Sequence, residues 1–90
     1  MPGVSSVLTS EQVRAARMLL RWDQRHLAEK SGVSLPSIKR LEGQPGPMSA
    51  YGRTMSAIRR ALETAGVVFL EPNGLGPGVR LRETSPASLP

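Results

Sequence analysis

Ser34, Ser37, Lys39 and Arg40 crowd into one short stretch, SGVSLPSIKRLEG, residues 31 to 43. As hydrogen-bond donors they could hold phosphate oxygens or the edges of bases. At about 100° per residue, a helix through this stretch puts Leu35, Ile38, Leu41 and Glu42 on one side and Pro36, Ser37, Lys39 and Arg40 on the other. The leucine and isoleucine side must dock on a core, which leaves a narrow polar and basic ridge outside, of a width that suits the major groove of B-DNA. A Lys-Arg pair alone is more often a solvated face, and only its place on this helix gives it the other reading.

The docked side carries a carboxylate, and a buried Glu42 is costly without a cation. The same projection of an earlier helix sets Val13, Ala16 and Leu20 in one stripe with Arg17 in its middle. One displaced charge of each sign on two helices suggests an Arg17–Glu42 ion pair between them. The alternative is an Arg17 that snorkels out of its stripe independently.

Composition narrows the classes of function. Ninety residues make one small domain, with room for a modest core and little for a catalytic cleft. No cysteine is present and His26 is the lone histidine, so neither a thiolate nucleophile nor a metal site is expected. No carboxylate pair or nucleophile with a base can be assembled, so enzyme activity and a cofactor are not expected either. The first residues form no signal peptide and no apolar run could span a bilayer, which places the chain in the cytoplasm without a membrane partner. Twelve basic against seven acidic residues give +5 and a pI near 11.1, which suits an anionic partner.

The elements that position these residues can be read from caps and periodicity. Residues 1–8 lack periodicity and are expected to be a flexible lead-in. Thr9 and Gln12 fit a capping box that starts a helix running from about Ser10 to Arg21. Asp23 caps a second from about Gln24 to Ser31, which Gly32 stops. Ser34 caps a third to about Glu42, with Pro36 in its first turn. A fourth is expected from about Ser49 to Ala65, with Tyr51, Met55, Ile58, Leu62 and Ala65 inward and Arg53, Arg59, Arg60 and Glu63 outward. From Val67 the period shortens, and VVFLE, NGLGPG and VRLRE read as a β-hairpin over 67–83, ahead of a disordered tail at 84–90.

Residues 9–66 resemble the Cro and phage-repressor type of helix-turn-helix domain, the XRE family. The resemblance is carried by Arg17 and by WDQRHLAEKSGVSLPSIKRLEG, with Gln24, Leu27-Ala28, Gly32-Val33, Ser34, Ile38 and Glu42 in place. It implies a mainly α fold, a Cro/repressor-like bundle of about four to five helices with the β-hairpin after it. It also implies a sequence-selective regulator of transcription that binds double-stranded DNA, with the third helix in the major groove. On that resemblance Gln24 holds a phosphate, while Ser34, Leu35, Pro36 and Ser37 approach base edges. Lys39 and Arg40 meet bases or phosphates, Arg53 and Tyr51 could clamp the backbone after the Gly-Pro loop, and Arg17–Glu42 is the family's habitual pair. Two departures stand out. Arg21 occupies a corner where the family commonly has Gly, so that corner is either one residue longer or strained. Leu35 and Pro36 stand where polar base readers are frequent, so specificity leans on Ser37, Lys39, Arg40 and DNA shape.

Trp22 reads as a core plug rather than a stacking platform, and His26 as a surface residue rather than a phosphate ligand. A two-stranded hairpin is marginal alone. Pairing with a second chain through the VVFL edge would give a homodimer on a pseudo-palindromic operator, with Val67, Val68, Phe69, Leu70, Val79 and Leu81 at the interface. The alternative is a monomer whose hairpin caps its own bundle. A separate reading of the whole chain is an antitoxin-like or anti-factor adaptor that binds a protein partner with the hairpin edge.

Overall fold

A computed structural model describes residues 7–48, 50, 52–71 and 74–82. The described residues are mainly helical: α1 (Ser10–Leu20), α2 (Gln24–Ser31), α3 (Leu35–Glu42) and α4 (Gly52–Thr64) precede a hairpin of β1 (Val67–Leu70) and β2 (Gly78–Leu81). No described helix is long and apolar enough to cross a membrane. Tyr51, Ser49 and the segments 1–6 and 83–90 lie outside the described residues, so the expectations for Tyr51 and the tail fall there.

The first three helices each begin where a side chain can satisfy their free N–H groups. Thr9 Oγ1 accepts from the Gln12 N–H at 3.0 Å, and Gln12 Oε1 accepts from the Thr9 N–H at 3.0 Å, completing the capping box. Asp23 accepts from the His26 N–H at 2.7 Å, and Ser34 Oγ from the Ser37 N–H at 3.3 Å. Replacing Thr9 by Ala removes the acceptor and is expected to cost about 1 kcal/mol, measurable as a lower urea midpoint with an unchanged slope.

The core joins Val13 and Ala16 of α1, Leu27 of α2, Ile38 and Leu41 of α3, and Ile58, Ala61 and Leu62 of α4. Trp22 packs against this core as a plug, with its ring 4.7 Å from that of the half-buried His26. Three expectations change here. Leu8 is only 2% exposed and belongs to the core, so the ordered fold starts before α1. Leu8 precedes the Thr9 cap and Val13 stands four residues after it, the two positions of a hydrophobic staple, and both are buried in the core. Ala61 of α4 is buried, while Ala65 lies one residue past the end of the helix and is exposed. Arg59 turns back instead of outward, its guanidinium 5.2 Å from the Phe69 ring centroid and 3.0 Å from Glu63.

The hairpin packs on its own bundle, β1 on α4 and β2 on α1. Its register pairs Val67 with Leu81 and Phe69 with Val79. Val67 and Phe69 are buried in the chain's own core, and Val68 and Val79 are half-buried, so the apolar face of VVFL is spent within the chain instead of being left for a partner. Burying these side chains on α4 supplies what a lone hairpin lacks. Leu70 and Leu81 remain exposed. Arg80 and Arg82 are exposed as the alternation requires, and the Arg82 guanidinium donates to the Glu63 carbonyl at 2.8 Å.

Candidate nucleic-acid interface

The short helix α3 is held from both ends. Its buried side is Ile38, Leu41 and Glu42, and Leu35 is half-buried. Arg17 grips the Glu42 carboxylate with two parallel bonds, Nε to Oε2 at 2.8 Å and Nη2 to Oε1 at 2.7 Å. This is the ion pair expected between α1 and α3, with 3% of the Glu42 side chain and 14% of Arg17 exposed. The third Arg17 arm, Nη1, donates to the Trp22 carbonyl at 3.0 Å and so ties in the corner between α1 and α2.

Gln24 joins the same cluster, its Nε2 donating to Glu42 Oε1 at 3.0 Å. The family resemblance assigns this amide to a phosphate; here one of its two N–H groups is already committed to Glu42, and the other is left for an anion. No signal within α2 foretells the contact, because it depends on where α3 docks.

Beyond α3, the loop is stitched to the start of α1. The Ser10 N–H donates to the Gly46 carbonyl at 2.9 Å and the Met48 N–H to the Leu8 carbonyl at 3.0 Å. Glu11 accepts from the Gly46 N–H at 3.1 Å, and its own backbone N–H, then that of Gly46, hold its carboxyl below the ordinary carboxylate range, with Arg14 adding to the effect. Gln12 reaches the other way, its amide donating to the Gly78 carbonyl at 3.1 Å, so one capping residue also seats the hairpin. Sequence reasoning gave Gln12 the cap alone, since the hairpin contact spans most of the chain.

With that side fixed, Pro36, Lys39 and Arg40 are exposed as a continuous ridge. Ser34 is exposed and Ser37 half-buried, and Ser34 Oγ donates to Ser37 Oγ at 2.9 Å. Ser37 thus accepts internally, which leaves its own O–H free as a donor. Lys39 and Arg40 have no acidic partner among the described residues. Arg53 is exposed in the first turn of α4 and makes no ion pair with a described residue.

The corner after α1 resolves in favour of strain. Arg21 sits at φ 59°, ψ 37°, the only non-glycine residue described with positive φ. A left-handed backbone costs a side-chain-bearing residue about 1–2 kcal/mol. Arg21→Gly is therefore expected to raise stability by about 1 kcal/mol, read as a higher urea midpoint; no gain would mean the exposed guanidinium offsets the strain.

Neither protein-family models nor curated proteins yield a match to this chain.

Proposed function

We propose that this chain is a cytoplasmic, sequence-selective DNA-binding regulator of transcription on a helix-turn-helix of the Cro and repressor type, α2 and α3 forming the motif. The observation that carries the reading is the division of α3. Its one side is locked by Ile38, Leu41 and the Arg17–Glu42–Gln24 cluster, while Pro36, Ser37, Lys39 and Arg40 face outward without an internal partner for either cation. A rigidly seated helix is what base readout needs, since a base contact is worth having only when its position is fixed.

The roles follow from donor geometry. Ser34, Leu35, Pro36 and Ser37 at the start of α3 approach base edges, Ser37 as a donor and the apolar pair against thymine methyls. Arg40 has the planar fork that fits guanine O6 and N7, and Lys39 is a point charge for a phosphate. The free Gln24 N–H lies at the start of α2, where backbone N–H groups favour a phosphate as well. Arg53 would add a backbone contact from α4. No cofactor is required for any of these contacts.

Selection of bound sites from random duplex DNA, followed by gel shift over a salt series, tests the proposal. An enriched site whose affinity falls by about 0.9 log unit per log unit of salt for each phosphate neutralised is expected. Binding indifferent to salt, or the absence of any enriched sequence, would end it.

A further inference from the structure

Arg21 holds a left-handed backbone that a side chain makes costly, and no contact inside the chain offsets that cost. The corner it occupies is closed by backbone alone. The Trp22 N–H donates to the Arg17 carbonyl at 2.9 Å and the Arg21 N–H to the Met18 carbonyl at 3.1 Å, the paired bonds of a Schellman motif. Glycine would close this motif without strain. The Arg21 guanidinium is exposed and makes no ion pair with a described residue, and Asp23, two residues on, spends its carboxylate on the His26 N–H.

The neighbours of Arg21 place it beside the candidate interface. Arg17 before it and Gln24 after it both reach Glu42, at 2.7 and 3.0 Å, and the third Arg17 arm holds the Trp22 carbonyl. The corner is therefore fixed against the C-terminal end of α3, next to the turn that carries Lys39 and Arg40.

We infer that Arg21 binds a phosphate of the DNA backbone, beside the phosphate assigned to Gln24. The inference rests on the function proposed above and adds to it a residue that the family resemblance does not supply, since glycine is common at this corner. Strained residues of this kind persist where their surroundings fix them, and they gather at ligand clamps. Charge points the same way. The free Gln24 N–H is a neutral donor, and the exposed Asp23 carboxylate stands next to it in the chain. A phosphate drawn there needs a cation on the same rim to offset that carboxylate. Arg21 and Arg25 are both exposed and flank Asp23 at two residues' distance. Arg25 lies within α2, where arginine is a good helix former and calls for no further reason. Arg21 has no such local reason, and its planar fork of donors matches phosphate oxygens. One side chain thus lowers stability and raises affinity, and glycine reverses both.

Fluorescence anisotropy of the full chain on its selected duplex over a salt series tests this. Arg21→Gly is expected to bind about fivefold to tenfold more weakly at about 0.1 M salt, with a salt slope shallower by about 0.9, as one lost phosphate contact requires. Arg21→Asn, neutral and tolerant of left-handed backbone, is expected to match it, which separates charge from loosening of the corner. Arg21→Lys keeps the charge and is expected to keep the wild-type slope. Arg60→Ala measures the effect of net charge alone. Arg21→Gly and Arg21→Asn that lose no more than Arg60→Ala would overturn the inference and leave the α3 reading standing. So would Arg21→Lys with the slope of the glycine variant. A wild-type chain without salt-dependent binding to any duplex would overturn the α3 reading, and this inference with it.

Discussion

Arg17→Met is expected to destabilise the fold by about 3–5 kcal/mol, the range for removing one partner of a buried pair. The Glu42 carboxylate is the worse orphan, because its side chain is 3% exposed and cannot move to water, whereas Arg17 at 14% already touches it. The substitution also strips the Trp22 carbonyl of its donor and leaves Gln24 as the sole side chain on Glu42. A domain of this size has about 5–10 kcal/mol in all, so much of the margin would go. Glu42→Gln should cost less, since the amide keeps one acceptor for the guanidinium and Arg17 can shift outward. Arg17→Met combined with Glu42→Leu should recover most of the loss, because two apolar side chains carry no desolvation penalty. Urea melts of the four proteins decide. If Arg17→Met alone costs under about 1 kcal/mol, the pair behaves as a surface bridge and the seating of α3 needs another explanation.

The partners of this cluster were not equally legible in the sequence. Arg17 and Glu42 announced themselves as charges on apolar stripes, and a stripe is a local property that projection reveals. Gln24 and Gln12 did not, because a polar residue at a helix start is already accounted for by capping or solvent. Their contacts to Glu42 and to the Gly78 carbonyl span 18 and 66 residues. The ends of the first three helices were readable to within about a residue, since Thr9, Asp23, Ser34 and Gly32 act on their immediate neighbours, whereas α4, expected from about Ser49, starts only at Gly52. The turn of Arg59 onto Phe69 was hidden for the opposite reason: it depends on a surface built only when the hairpin lies on the helices.

The hairpin shows how local reading can find an element and misjudge its use. VVFL and VRLR alternate as strands must, and both form. Where their apolar faces go was beyond any local pattern, because Val67 and Phe69 are buried against α4 only in three dimensions. The same packing that seats β1 on α4 seats β2 on α1, with Ala15 and Val79 lining one groove between them.

Arg40→Ala and Lys39→Ala should both weaken DNA binding, and in ways that tell a base contact from a phosphate contact. Both side chains are exposed, so stability should change by no more than about 0.5 kcal/mol, and any loss belongs to the interface. For Arg40 the fork geometry favours guanine. Its removal should cost about 1–3 kcal/mol on the selected site and relax the preference at one base pair. For Lys39 a phosphate contact predicts a uniform loss across sequences and a salt slope shallower by about 0.9. Arg60→Ala removes the same charge from an exposed position on α4, and it should leave the selected-site affinity within about twofold, a few tenths of a kcal/mol. If all three substitutions act alike, the attraction is that of net charge alone, and α3 is not the reader. If repression or activation in cells survives the double substitution of Lys39 and Arg40, the chain works through a protein partner, since no other described helix presents neighbouring unpaired cations opposite so firmly locked a side.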